Sequence, residues 1–440
     1  MAILGLASTA SYANQRFKNY RRSVFYFYPN GAAPLTGIMS MLKEESTNDP
    51  EFKWWEKRLS EQRTLTAMAN SAGPFTNTSG TDLTTGGWSQ SAGDEIRIKV
   101  ASTDVFRPGH VVKVRQVPTT GSPIDLNFIV TQIVSSSVIQ VRCVLAISDA
   151  LNTTAVNGIE VWVVGSAFSE GSLDTSRAIS NIPTEVGGQC QIFRTPFLMT
   201  GTAVKTNVKY DESGPYQDMA KEHSVYHMTE IEKALIFSQM ATYTGGDGLP
   251  VRTMKGILGY LADWESGSVY GNTAATNDSD DNKRIITNSG GALSESSYDG
   301  YLERVFRVTN NTANEKLVLC GNQFLNVINQ LYKSKSCLNA DLPIGDTYGM
   351  NVVKHVSPFG TVYYKTHPLF NSNPFMRANA LFLDVQNLVY RFVTGRDTAL
   401  LANRQPNDAD YRKDEYLTEC GLEVRFPESH MYLQNVQTYA

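Results

Sequence analysis

The chain has 440 residues, 41% of them hydrophobic and 19% charged, with a formal net charge of −4. That composition belongs to folded rather than disordered chains, and the length exceeds one ordinary core, so about two or three packed units are expected. The slight acidity argues against a protein that grips nucleic acid through a basic field, and no run of about 18 or more apolar residues reads as a membrane span.

The 21 Tyr and 19 Phe are generous, and such rings suit buried cores and permanent protein contacts alike. The five cysteines, Cys143, Cys190, Cys320, Cys337 and Cys420, are far apart and form no C-x-x-C pair. They are expected as buried free thiols, not as a metal ribbon or disulfide framework. The start, MAILGLASTASYANQRFKNYRR, carries its charges after a short apolar run, a poor signal peptide. The expectation is a soluble protein made in a cytoplasm.

In chain order, residues 1–33 read as an arm rich in Gly, Ser, Asn and Tyr. The aromatic run Phe25 to Tyr28 needs a partner surface, in this subunit or a neighbour. In LTGIMSMLKEE, the spacing of Leu35, Ile38, Met39 and Leu42 predicts a short amphipathic helix. EFKWWEKRLSEQRT adds Trp54 and Trp55 as packing anchors.

From about residue 93 the period changes to two. DEIRIKV, HVVKVRQV, LNFIVTQIV, SVIQVRCVL and GIEVWVV predict five short strands, a small β-barrel or sandwich inserted at about 93–165. After a linker and the strand-like CQIFRTPFLMTGTAVKTN comes the strongest helical pattern, predicted over 216–241. Pro215 suits its first turn, and Asp211 and Glu212 place acid near its positive end. Met219, His223, His227, Ile231 and Leu235 follow at i+4, with Ala220, Ala234 and Ser238 alongside, and Gly245-Gly246 is read as the stop. Residues 265–298 read as a long exposed loop. Then SYDGYLERVFRVT, KLVLC and NQFLNVINQLYKS alternate helix, strand, helix. MNVVKHV, TVYYKTH, LFLDVQNLVYRFV and LTECGLEVRFPESHMYLQNV supply further strands. There is no internal repeat.

The chain carries no recognisable reaction motif. His223 and His227 stand one helical turn apart, a spacing that can hold zinc, but Ser224 stands where a metalloprotease helix has Glu, and no third ligand is clear. They are read as packing histidines. Asp211, Asp218, Glu230 and Glu232 are read as a charged solvent face. GGDGLP and LCGNQ are plain turns, since neither has the glycine offsets of a phosphate or dinucleotide loop. No catalytic, cofactor-binding or metal residue is assigned.

The stretches PLTGIMSMLKEE with Trp54 downstream, GSAFSEGS, QIFRTPFLMTGTAVKT, MAKEHSVYHMTEIEKALIF and GGDGLPVRTMKGILGYL, taken in order, resemble the major capsid proteins of tailed bacteriophages. The resemblance is to the Hong Kong 97-type fold, in its subfamily with a β-rich insertion before the spine helix, and runs from about 34 to 436. In that family a long spine helix ends at a glycine-rich turn, and a Gly-Ile step leads into the axial domain; Gly256-Ile257 fits. GLEVRFPESHMYLQNV corresponds to the closing strand and turn.

The resemblance implies an α+β chain with an N-terminal arm at 1–55 and an extended-loop region at 56–200 that contains the β-module. A peripheral domain at 201–256 would hold the spine helix, with an axial domain at 257–388 and a return to the peripheral domain at 389–440. It further implies hexamers and pentamers of an icosahedral head around packaged double-stranded DNA held without sequence-specific binding, with no membrane and no cofactor. A separate scaffolding protein, a portal and a decoration protein are the implied partners, with assembly in the host bacterial cytoplasm and residence in the virion. Neither a long charged N-terminal scaffolding helix nor a Lys/Asn cross-linking signal is seen.

Three other readings compete. A tail or receptor-binding component would show β-repeats and few long helices. A nanocompartment shell of the same fold would be shorter and lack the insertion. An enzyme working through scattered carboxylates would have to dispense with every familiar motif.

Overall fold

In the computed structural model, which describes residues 44–57, 63–65, 74–81, 83, 90–116, 124–146, 159–171, 178–179, 182–205, 215–267, 269, 283–308, 314–335, 344–347 and 350–439, two compact units are found. The first comprises residues 1–54, 185–270 and 283–440, and the second 55–184 with 271–282.

The first unit is organised around strand Tyr411–Val424. It pairs antiparallel with Gln191–Thr200 over ten residues, from Gln191 opposite Cys420 to Thr200 opposite Tyr411. Its other edge takes Leu388–Val393 and Ala399–Leu401, and Glu44–Thr47 adds on parallel to Leu388–Val393. The helix pattern expected over 35–45 therefore gives way to a strand at Glu44 and Glu45, which exchange helical spacing for ladder bonds to Tyr390 and Arg391. The earlier part of that pattern lies outside the described residues.

Helix Pro215–Phe237 packs on this sheet. Its buried side is Ala220, Ser224, His227, Met228, Ile231, Leu235 and Ile236, spaced at three and four, while Lys221, Glu222, Tyr226, Glu230 and Lys233 face water. Met219, expected buried, is half-buried. The helix ends at Phe237 and not at 241, because β-favouring Thr242, Tyr243 and Thr244 join strand Ala241–Thr244, which forms a hairpin with Pro250–Thr253.

The chain then returns to the helix end through Gly256, whose amide donates to the Ser238 carbonyl at 2.8 Å. A Cβ at Gly256 would stand 2.7 Å from the Ala234 carbonyl oxygen and 2.8 Å from the Ser238 nitrogen, so only glycine fits. Helix Ile257–Ser266 comes next and buries Ile257, Tyr260, Leu261 and Trp264. Trp54 packs beside Tyr260, ring centroids 5.9 Å apart, whereas Trp55 is 65% exposed. Alternation along Glu51–Glu56 sends adjacent side chains to opposite faces, so only Trp54 is an anchor.

A seven-stranded mixed sheet completes this unit, in the order Ile285–Thr287, Met431–Gln434, Ala380–Leu383, Glu315–Cys320, Thr361–Thr366, Met350–Val356, Ile344–Thr347. Its central strand Glu315–Cys320 is covered on both faces: Leu317 and Leu319 join the core that includes Ile231 and Leu235, and Val318 and Cys320 join a second core. Helices Glu295–Arg307 and Asn322–Lys335 cover the second core with Tyr298, Leu302, Val305, Phe324, Val327 and Ile328. The exposed loop expected over 265–298 is thus overturned at its C-terminal end. Ile285–Thr287 pairs with Met431–Gln434, Leu293 is buried, and Ser294 caps the next helix by accepting from the Ser297 amide. The Ser, Gly and Asn content that suggests a loop here serves turns and a cap instead.

The second unit is one antiparallel sheet of seven strands, in the order Arg63–Leu65, Glu160–Ser166, His110–Gln116, Ile124–Ser135, Val138–Cys143, Glu95–Lys99, Phe75–Asn77. The five strands read from alternation are all present, and the first and last strands in the order are not bonded to each other. Ile96, Ile98, Val112, Val114, Phe128, Val130, Ile139, Val141 and Val161 form one buried face with Phe75 and Phe106. Among the described residues the expected barrel or sandwich is thus a single sheet with one buried face, whose end strands are not paired with each other. Register shifts after Val111, Val130 and Ile133 supply bends. Gly109, at φ +88°, lies where a Cβ would come within 2.4 Å of the Phe168 ring. Cys143, Cys190, Cys320 and Cys420 are buried free thiols, and Cys337 lies outside the described residues.

Candidate functional site

Strand Tyr411–Val424 carries different chemistry on its two faces, because residues alternate across a sheet. Asp414, Tyr416 and Thr418 address the long helix, and Glu415, Glu419 and Glu423 point the other way.

On the helix side Asp414, Tyr416 and Thr418 each find a partner. The Tyr416 hydroxyl donates to the Ala220 carbonyl at 2.9 Å. His227 is held between two threonine hydroxyls, Thr195 on Nδ1 and Thr418 on Nε2, each at 2.8 Å, and Thr418 also meets Thr398 at 2.9 Å. Burial pushes the His227 imidazole down to about 4, so it is neutral at pH 7. Asp414 accepts from Tyr216, from Arg412 Nε at 2.8 Å and from the Asn403 amide at 2.7 Å. Arg412 also lies 4.2 Å from the centre of the Tyr216 ring. Burial, and then Asp414, push the Tyr216 phenol well above its ordinary value.

The opposite face is a ladder of carboxylates clamped by arginines. Arg194 grips both Glu415 oxygens, at 2.9 and 2.7 Å, and Arg404 reaches the same carboxylate at 3.3 Å. Burial pushes the Glu415 carboxyl up, but Arg194 and Arg404 outweigh it and hold it below its ordinary value. Arg396 pairs with Glu419, while Arg391 and Arg425 share Glu423 at 2.6 and 2.5 Å. Arg391 also reaches Glu45, and so ties Glu44–Thr47 to the centre of the sheet. The carboxylates are buried, while Arg194, Arg396 and Arg404 reach out to water and Arg391 and Arg425 are more enclosed. Such a ladder favours one strand order, since losing an arginine leaves a buried carboxylate short of a partner.

Of the residues singled out from sequence, His227 joins this network and His223 stacks on Phe197, centroids 5.4 Å apart. Glu230 is exposed as expected. Glu232 is not on a solvent face: it is fully buried and bonded to His367 Nε2 at 2.8 Å, because the sheet at His367 closes over that side of the helix. Asp211 and the Asp218 side chain lie outside the described residues. Among the described residues no three His, Cys, Asp or Glu converge as metal ligands, and no helix is long and apolar enough to cross a membrane. Sequence spacing does not predict the carboxylate ladder. Its signal exists, since positions 415, 419 and 423 share one face of a strand, but an acidic face ordinarily reads as a wet one.

The arrangement holds strands and helix together. The family model of the SU10 major capsid protein matches residues 7–437. The chain belongs to that family. This capsid protein is a structural component of the virion, and its α+β elements, including the long helix and the Gly256-Ile257 step, come in the order the Hong Kong 97-type resemblance implies. No curated protein matches the sequence. Among solved structures, the capsid asymmetric unit of cyanophage A-1(L) is similar at 12% identity, covering 63% of this chain and 85% of its own, with a TM-score of 0.39. Mycobacterium phage Patience is similar at 9% identity, covering 61% and 77%, TM-score 0.38. The holo-SrpI encapsulin complex of Synechococcus elongatus is similar at 12% identity, covering 60% and 80%, TM-score 0.36.

Proposed function

We propose that this capsid protein closes into the icosahedral head of a tailed phage, as hexamers and pentamers around packaged double-stranded DNA. The observation that carries the reading is the family match across nearly the whole chain. A sheet whose strands are joined by ion pairs to buried carboxylates and a helix anchored through His227 and Tyr416 supports it, since a shell subunit must keep its shape while many modest contacts add up. The net charge of −4 supports enclosure of the genome without a gripping surface.

A separate scaffolding protein, a portal and a decoration protein are the partners this role calls for, with assembly in the host bacterial cytoplasm. The protein works without catalysis. Quantitative peptide mass spectrometry of purified virions tests the proposal: this chain should be the most abundant head protein, present in hundreds of copies per portal ring. Abundance near that of the portal, or of a tail component, would refute it.

A further inference from the structure

The hairpin formed by Ala241–Thr244 and Pro250–Thr253 has its faces the wrong way round for an isolated subunit. Opposed residues share a face, and the register sets Tyr243 against Val251 and Thr242 against Arg252. The polar face meets the body: the Thr242 hydroxyl donates to Gln189 Oε1 at 3.0 Å, and Arg252 lies 3.7 Å from Glu51. The apolar face looks away. Tyr243 is 58% and Leu249 62% exposed, with Val251 beside them and Met240 exposed just ahead.

Nothing in the hairpin's own chemistry requires this. The turn is well made, with Gly245 donating to the Leu249 carbonyl at 2.8 Å and the Leu249 amide donating to Asp247 Oδ1. The Thr253 hydroxyl braces the base by donating to the Gln239 carbonyl at 2.7 Å. The ribbon is therefore held in one orientation, with a tyrosine, a leucine and a valine presented to solvent. Among the described residues both strand edges are also unpaired, since the sheet there has two strands only.

We infer that the outward face of hairpin 241–253 is a contact surface for a second copy of this chain. The inference rests on the capsid reading, which gives every copy neighbours of its own kind. The chemistry of the face favours that occupant. Its cross-strand rows, Ala241 with Thr253 and Tyr243 with Val251, bear no charge, and the one arginine in the strands is turned inward toward Glu51, so the face offers a phosphate backbone nothing to hold. Removal of Tyr, Leu and Val side chains from water without stranding a charge is what the centre of a protein interface does. A few side chains make a patch well below the ~800 Å² per partner of a stable binary complex. It suits one weak contact among many closed by symmetry.

The test compares the wild-type chain with the double substitution Tyr243→Lys and Val251→Lys, by thermal melting and by sedimentation velocity over a concentration series. Tyr243 and Leu249 are more than half exposed among the described residues, so the melting curves should lie close together. Self-association should weaken roughly tenfold or more, as for loss of an anchoring aromatic. Equal self-association would overturn the inference, including where the associated species are not closed shells, in which case the capsid proposal falls separately. A wild-type chain that stays monomeric at every concentration would overturn both. A variant that melts much earlier would show that the face packs within the subunit, and would also overturn it. The single substitution Val251→Cys gives an independent reading. Its thiol should react with N-ethylmaleimide readily in monomers and slowly in assemblies, whereas protection already in the monomer would mean that another part of the same chain covers the face and would overturn the inference.

Discussion

Glu232 and His367 meet at 2.8 Å with both side chains fully buried, and this bond ties the long helix to the end of strand Thr361–Thr366. His367 Nδ1 accepts from the Leu369 amide at 3.1 Å, so the ring proton sits on Nε2 and is donated to Glu232 Oε1. Glu232→Gln keeps an acceptor there and should change stability little. Glu232→Leu strands the buried N–H and should cost about 1–3 kcal/mol in urea unfolding of the subunit. Equal midpoints for the leucine and glutamine variants would refute the coupling.

Ile231 lies one residue earlier, in the core that the helix shares with the sheet. Ile231→Asp buries a carboxylate with no partner, at a cost of several kcal/mol, comparable to the whole margin of a marginally stable fold (roughly 5–15 kcal/mol). Soluble yield and the helical circular dichroism signal should both collapse. A variant with normal yield and normal melting would mean that the buried face of the helix is misplaced.

Acid should weaken the subunit in a defined window. The buried imidazole of His227 is pushed down to about 4 from an ordinary value of 6.5, and that of His430, buried and facing the cationic Lys316, to about 3. Above pH 6.5 both are neutral, folded or unfolded, and cost nothing. As pH falls from 6.5 toward 4 the unfolded chain binds protons that the folded chain refuses, so stability falls by up to about 1.4 kcal/mol per pH unit for each such group. Below pH 4.5 the clamped Glu415 adds to the loss, since its folded value is depressed. His227→Gln should flatten the decline in melting temperature between pH 6.5 and 4 without removing it. An unchanged slope would show that His227 does not titrate as its burial requires.

The sheet of the second unit has an apolar core of its own, so it should fold alone. A fragment of residues 55–184 should give a β-type circular dichroism spectrum and one cooperative melt. Cutting at 93–165 instead would leave out Phe75, whose ring is fully buried in that core, along with two of the seven strands. The longer fragment failing to melt cooperatively would show that the sheet depends on the rest of the chain.

Sequence periodicity reveals the features set by simple spacing. The apolar stripe of helix Pro215–Phe237 and the alternation of Ile96, Ile98, Val112 and Val114 are visible because one face meets oil and the other water. Features that depend on long-range pairing stay hidden. Glu45 reads as the end of a helix until Arg391 is seen beside it, and Glu232 reads as solvated until His367 is brought in from 135 residues away. The buried carboxylates of Tyr411–Val424 look like a wet edge, since their partners Arg194, Arg391 and Arg396 lie on other strands and loops. Gly256 is different. The Gly-Ile step points to it through family resemblance, but the reason for glycine, a backbone approach to Ala234 and Ser238, shows only in three dimensions.

Closure of this chain into a shell is open to direct observation. Electron microscopy of the purified protein, expressed with its candidate scaffolding protein and checked against virions, tests it most directly. Hollow icosahedral particles of uniform size are expected, each containing hundreds of copies, with the seven-stranded β-sheet unit and hairpin 241–253 resolved in every copy. A chain that remains monomeric with its scaffold and is missing from purified heads would contradict it.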